Sequence, residues 1–252
     1  MAGLHDGGHF RNKILMRLPQ READVLRGHL QPVSLKFRQR LETSGRKITD
    51  IVFVEDGLVS LIALSTRRRE QAEVALLGRE GATGCATLLG VERSPYDALV
   101  QIAGSGLRIG IDEFHRVLST SPVLRDLLGK FVHVSNVQVL HTVIASTRGT
   151  IEERLSRWLL MAQDRLESDI VHLTHEMLAV TLSVRRAGVT MALGRLSSLG
   201  LIAYRRGAIQ ILDRPQLMEH AYEFYGEPEA EYERLFSEQG GMTSDGPQRF
   251  ES

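Results

Sequence analysis

Apolar positions along the chain change period twice, and the two changes divide it into three unlike parts. Residues 14–118 carry short apolar runs and little amphipathic helix. Val33-Ser34-Leu35-Lys36-Phe37-Arg38 alternates strictly, as a half-buried strand does. Ile51-Val52-Phe53-Val54 and Leu58-Val59-Ser60-Leu61-Ile62 flank Glu55-Asp56-Gly57, and Asp-Gly between apolar runs predicts a hairpin. Glu73–Leu77, Leu99–Ile102 and Leu107–Ile111 add short strands separated by glycine-rich turns, a spacing that predicts an antiparallel roll or sandwich.

After Ser121-Pro122 the period becomes helical. Leu124, Leu127, Leu128, Phe131, Val134, Val137 and Leu140 follow steps of three and four. A continuous helix of about 26 residues would span about 39 Å, too long for one small domain to cover. Such a seam is expected to pair with its copy in a two-fold dimer. The alternative is a core helix laid against the β-domain, and its first half could serve both purposes. Gly129, Asn136 and Gln138 interrupt the seam. A boundary falls near Arg148-Gly149, where Gly149 is a candidate hinge. Thr150-Ile151-Glu152-Glu153 then fits a capping box, and Leu155, Trp158, Leu159 and Met161 predict a supporting helix.

Residues 173–212 predict two short helices, a tight turn between them and a hairpin after them. Thr174 can cap the first helix, Glu176 favours its dipole, and Leu178, Ala179 and Leu182 make one apolar side. The turn is Leu182-Ser183-Val184. In the second helix, from Arg185, an inward stripe of Val189, Leu193 and Leu196 leaves Ala187, Thr190, Met191 and Gly194 facing out, with Arg186 at the edge. The hairpin runs Leu201–Tyr204, turns at Arg205-Arg206-Gly207 and returns through Ala208–Leu212.

Charge sharpens this picture. The chain has formal net charge +0, yet Arg185, Arg186, Arg195, Arg205, Arg206 and Arg214 face only Asp213 within residues 185–214. A basic excess on a helix-turn-helix with a wing is the footprint of phosphate contact, whereas a charge run alone would be a solvated surface.

Here the chain resembles the Crp/Fnr family of bacterial transcription regulators. The likeness rests on Thr174-His175-Glu176-Met177-Leu178-Ala179, on Ser183-Val184-Arg185-Arg186-Ala187-Gly188-Val189-Thr190, and on Gly200-Leu201-Ile202 leading into the wing. It extends loosely from Asn12 to about Asp213. The resemblance implies an α+β chain: an N-terminal double-stranded β-helix (jelly-roll) sensor, cyclic-nucleotide-binding-like, over 12–118, a dimerisation helix over 119–148, and a winged helix-turn-helix over 149–225. An acidic, partly disordered tail over 226–252 would follow. Leu124, Leu127, Leu128, Phe131, Val134 and Gln138 would line the dimer interface. Implied partners are double-stranded DNA, a second copy and RNA polymerase. Arg186 would read guanine, with Ala187, Thr190 and Met191 against base edges, while Thr174, Arg185, Arg205 and Arg206 would grip phosphates. The founding members carry charged readers where Ala187 and Met191 stand, so the target site should differ from theirs.

Nucleotide-sensing members hold a cyclic phosphate with backbone N–H groups and an Arg-Ser pair, and a carboxylate takes the ribose. The corresponding residues here are Gly84, Cys85, Arg93 and Ser94, and Cys85 stands where the carboxylate is wanted. A thiol is a weak substitute. An effector other than cyclic AMP, or none, is therefore expected. An iron-sulfur cluster needs four thiolates and the chain has one cysteine. Cys85 as a redox switch would need a lowered pKa. Of the nine histidines none falls within residues 30–112, which argues against a β-roll oxygenase or isomerase. No cofactor and no enzymatic activity are expected.

One cysteine allows no intrachain disulfide, no apolar run approaches the length of a membrane span, and Met1–Gly8 lacks a signal-peptide apolar region, so a cytoplasmic location is expected. From Pro215 onward, nine acidic residues face Arg234 and Arg249, which reads as a solubilising tail. The rival to a DNA-binding regulator is a ligand-binding signalling module acting through a protein partner.

Overall fold

The computed structural model describes residues 9–65, 70–205 and 207–237. Its N-terminal domain is β-rich. After α1 (Gln20–Arg27) come β1 (Gln31–Leu35), β2 (Arg40–Glu42), β3 (Asp50–Ser65), β4 (Glu70–Leu77) and β5 (Asp97–Gly110), antiparallel in the order β1-β5-β3-β4 with β2 also on β5.

The expected hairpin at Asp56-Gly57 is absent. β3 runs through it, and both halves pair with β5, from Asp50 opposite Gly110 to Ile62 opposite Asp97, with register shifts around Asp56. Gly57 sits at φ 90°, where a Cβ would come within 2.6 Å of the Ile102 carbonyl oxygen. A Cβ on the facing Gly104 would come within 2.1 Å of the Asp56 carbonyl oxygen. The dipeptide is therefore a bulge pressed against a second glycine, because Asp-Gly serves both structures. The two short strands expected at Leu99–Ile102 and Leu107–Ile111 are likewise one strand, β5, which ends at Gly110, and Ile111 opens the helix that follows. The alternation at Val33 stops at Leu35. Arg38 turns the chain at φ 62°, leaving Phe37 48% exposed.

Two helices follow, α2 (Ile111–Thr120) and α3 (Pro122–Arg148). The proline opens α3 without loss, since the first turn needs no N–H there. The stripe expected at the dimer interface lies instead in the chain's own core. Leu124, Leu127 and Leu128 are wholly buried, and Phe131 and Val134 join them against the sheet. Phe131 packs so closely on Gly81 that a Cβ there would lie 2.1 Å from the ring. Gln138 is also internal: it accepts from the Leu76 N–H at 2.6 Å and donates to the Leu76 carbonyl at 3.2 Å, holding α3 to β4. The helix thus takes its core alternative on this face. Its opposite face exposes Gly129, His133, Asn136, Leu140, Val143 and Thr147, at alternating steps of four and three.

The C-terminal part comprises α4 (Ile151–Arg165), β6 (Ile170–Val171), α5 (His175–Thr181), α6 (Arg186–Ser198), β7 (Ile202–Arg205), β8 (Ala208–Ile211) and α7 (Arg214–His220). Leu58 and Leu76 of the β-domain belong to its hydrophobic core, and polar ties cross the same boundary. Gln101 donates to the Thr181 hydroxyl at 3.1 Å, and Arg165 Nε lies 2.7 Å from Glu80 Oε1.

The acidic tail departs from expectation. Residues Glu227–Ser237 form α8, which packs on α3. Tyr232 and Phe236 stack at 4.3 Å and are buried in the β-domain core, and the Arg17 guanidinium lies 5.2 Å from the Phe236 ring. Four residues apart on a helix, the two rings make one apolar edge among carboxylates. Residues 238–252 lie outside the described residues. Among those described, no helix is long and apolar enough to cross a membrane.

Candidate nucleic-acid interface

The interface is assembled from α4 upward. Thr150 and Glu153 close the expected capping box, the hydroxyl accepting from Glu153 N and the carboxylate from Thr150 N. Leu155, Leu159, Leu160 and Ala162 are wholly buried and give α5 and α6 a floor. Arg154, at the start of α4, donates to the Leu182 carbonyl at the end of α5. Burial lowers the pKa of this guanidinium. Thr174 caps α5, accepting from Met177 N at 3.2 Å, and its hydroxyl hydrogen remains available to an external acceptor.

Ser183 makes the turn at φ 51°, in the left-handed region, and Val184 N donates to the Ala179 carbonyl at 2.9 Å. Arg185 then stands at the N-cap of α6. Val189, Leu193 and Leu196, the three expected stripe residues, are wholly buried, with Ala192 beside them.

That anchoring turns the other side of α6 to solvent. Arg186, Ala187, Thr190 and Met191 are all exposed, Met191 by 74%. Thr190 donates to the Arg186 carbonyl at 3.1 Å and lies 3.1 Å from His175 Nδ1 on α5. Arg186 Nη1 is 3.7 Å from Glu176 Oε1, with side chains 66% and 72% exposed. So open a pair holds the guanidinium weakly and leaves it free to exchange the carboxylate for another acceptor. The wing joins the same face: the Tyr204 ring lies 5.9 Å from the His175 ring, and exposed Arg205 ends β7. Gly207, at φ 77°, completes the turn, and Arg206 lies outside the described residues. Sequence reasoning missed β6, which pairs with β8 through Ile170 and Val171. Two residues carry no period by which to find them.

In the β-domain, the expected effector residues are bound up internally. Gly84 N donates to Glu42 Oε1 at 2.7 Å, and Glu42 is 6% exposed, its pKa raised by burial. The Cys85 Sγ–H donates to the Ala82 carbonyl at 3.2 Å. Burial, and then Glu42, push that thiol up, which is the wrong direction for a redox switch. Ser94 donates to the Tyr96 carbonyl at 2.8 Å and also faces Glu42, whereas Arg93 is exposed and donates to the Gly45 carbonyl at 3.0 Å. Gly84, Cys85 and Ser94 therefore gather around Glu42, and Arg93 points elsewhere. Glu42 carried no signal in the sequence beyond being one acid in a short strand.

Residues 153–220 match the Crp-like helix-turn-helix domain family. Among solved structures the chain is similar to FixK2 from Bradyrhizobium japonicum, at 15% identity and TM-score 0.65, covering 75% of this chain and 96% of that one. It is similar also to the c-di-GMP-responsive global regulator CLP of Xanthomonas campestris, at 14% identity and TM-score 0.64, covering 77% and 100%. A third is a Crp/Fnr family transcriptional regulator from Thermus thermophilus, at 20% identity and TM-score 0.57, covering 77% and 100%. At such identities the likeness is one of fold. No curated protein matches the sequence.

Proposed function

The chain has the Crp/Fnr-type architecture, with a Crp-like helix-turn-helix domain over residues 153–220, and from that premise we propose that it is a sequence-specific DNA-binding transcription regulator acting as a homodimer. The observation that carries this reading is α6: it is fixed by a fully buried stripe and turns Arg186, Ala187, Thr190 and Met191 to solvent beside the wing. In this reading α6 enters the major groove. Arg186 donates to guanine O6 and N7, Thr190 and Met191 meet base edges, and Arg185, Thr174 and Arg205 hold phosphates. The role is regulatory, not enzymatic, in the cytoplasm and with RNA polymerase as protein partner.

The dimer uses the exposed face of α3. Leu140, Val143 and Ile144 are 63%, 55% and 45% exposed. Gly129, Asn136, Leu140 and Val143 continue the heptad-like steps of a two-stranded seam, in which a polar Asn136 would set register at a cost in strength. The internal use of Gly84 N by Glu42 supports an effector other than cyclic AMP, or none.

The test is selection of bound sites from random duplex DNA by the purified chain. The expected product is an inverted repeat with half-sites about one helical turn, 34–36 Å, apart, bound less tightly as salt rises. No enriched site and no salt-sensitive shift would overturn the reading in favour of a module acting on a protein partner.

A further inference from the structure

One of the side chains that shape the exposed face of α6 is not on α6. His175, which opens α5, is half-buried between the recognition helix and the wing. Its Nδ1 lies 3.1 Å from the Thr190 hydroxyl, and its ring lies 5.9 Å from the Tyr204 ring at an interplanar angle of 54°. We propose that His175 is a specificity-determining residue: it orients the Thr190 hydroxyl so that α6 presents an acceptor there, and the base read by Thr190 is one with an exocyclic amino group, adenine or cytosine. The inference rests on the DNA-binding reading of α6.

The reason is a count of protons. A threonine hydroxyl has one proton and two lone pairs. The Thr190 proton goes to the Arg186 carbonyl at 3.1 Å, one turn back along the helix. The contact with His175 then runs the other way, with Nδ1–H donating into the Thr190 oxygen. The two bonds reinforce each other, because hydrogen bonds in a chain polarise one another. They leave Thr190 one lone pair and no proton for an outside partner. Were the ring nitrogen to take the proton instead, the hydroxyl would again have none to give outward. Thr190 is exposed on the same face as Arg186, Ala187 and Met191, so its remaining lone pair is open to a base.

That lone pair discriminates. In the major groove adenine N6 and cytosine N4 donate, whereas guanine O6 and N7 and thymine O4 accept. A freely turning hydroxyl serves either kind. One whose proton is spent within the chain serves only the amino bases, and opposite guanine or thymine it sets two acceptors face to face, each stripped of water and unpaired. The next residue, Glu176, faces Arg186 at 3.7 Å, so the start of α5 addresses two readers in different ways. The open ion pair exchanges for DNA. The His175 bond stays in place while Thr190 meets its base.

The test compares the full chain with three variants on the operator obtained by selection from random duplex DNA. Thr190→Val keeps the shape, removes the hydroxyl and so identifies the base pair that Thr190 reads. At that pair the wild type should bind adenine or cytosine on the contacted strand about tenfold more tightly than guanine or thymine. His175→Phe keeps a ring beside Tyr204 and removes the nitrogen, which frees the hydroxyl to turn its proton outward, and the ratio should fall to within about twofold. His175→Asn removes the ring but keeps an N–H at the place of Nδ1, and should retain the preference. All three should melt close to wild type, since Thr190 is exposed and His175 only half-buried. A ratio unchanged in His175→Phe, an equal loss in both His175 variants, a preference for guanine or thymine, or no base pair that responds to Thr190→Val would overturn the proposal and leave the DNA-binding reading intact. Absence of any enriched site would overturn that reading, and this inference with it.

Discussion

The Trp158 indole N–H donates to the Glu73 carboxylate at 2.6 Å, and through that bond the first helix of the C-terminal domain is tied to strand β4 of the N-terminal one. Burial drives the Glu73 carboxyl up to about 7, and the Trp158 hydrogen bond and the nearby Ser60 hydroxyl, together with the Arg157 and Arg165 charges, only partly oppose it. The joint between the domains therefore contains an acid that prefers to be protonated near neutrality.

A pH dependence follows, with a definite sign. Between about pH 4.5 and about pH 7 the unfolded chain releases the Glu73 proton while the folded chain keeps it, so the folded state binds more protons and its stability falls as pH rises. Above that window the penalty is constant. Glu73→Gln, neutral at every pH and still able to accept from Trp158, should melt higher than wild type by a margin that grows from about pH 5 to about pH 8. Thermal melts in matched buffers read the margin, and a margin flat across that range would refute the assignment.

Arg186 and Arg205 should fail differently. Arg186→Ala should cost about 1–3 kcal/mol of DNA binding and relax selection at one base pair, because it removes a base contact. Arg205→Ala should weaken all sequences alike and lower the salt slope by about one. Binding isotherms on a selected site and on its single-base variants, at several salt concentrations, separate the two. Identical behaviour of the two variants would defeat the division of roles.

Ser183 offers a test of the turn itself. A non-glycine residue at φ 51° carries strain of about 1–2 kcal/mol, and glycine would remove most of it while adding chain entropy to the unfolded state. Ser183→Gly should leave stability within about 1 kcal/mol of wild type, whereas Ser183→Val should destabilise by more, since a β-branched residue is an outlier at positive φ. Chemical denaturation of the three proteins measures the order. A valine variant as stable as wild type would mean that the turn relaxes in solution.

How legible each part was depended on how local its causes were. Val189, Leu193 and Leu196 were readable because a short capped helix states its buried face within its own turns, and Thr174 and Thr150 announced their caps by residue type. Asp56-Gly57 misled because the deciding partner, Gly104, stands on another strand, and nothing near the dipeptide says whether the chain will reverse or press on. In α8 a high density of glutamate hid Tyr232 and Phe236, although their spacing of four was present in the sequence. The role of Glu42 could not be read at all, since it is a product of tertiary packing.

The long helix α3 shows the same limit and supplies the sharpest mutational contrast. Its strongest apolar stripe, through Leu127, goes to the chain's own core, against the sheet beside it. The weaker stripe through Leu140 and Val143 is left outside. Leu127→Ala should therefore lower stability by about 2–5 kcal/mol, as cavities in a packed core do, and leave the association state of the folded fraction unchanged. Leu140→Glu with Val143→Glu should have the opposite effect. Neither side chain is buried within the chain, so the fold should survive, while like charges facing their copies across the seam should drive the dimer to monomer and weaken operator binding. Sedimentation velocity combined with thermal melting tells the cases apart. A double-glutamate variant that sediments as wild type would move the dimer interface off this face of α3.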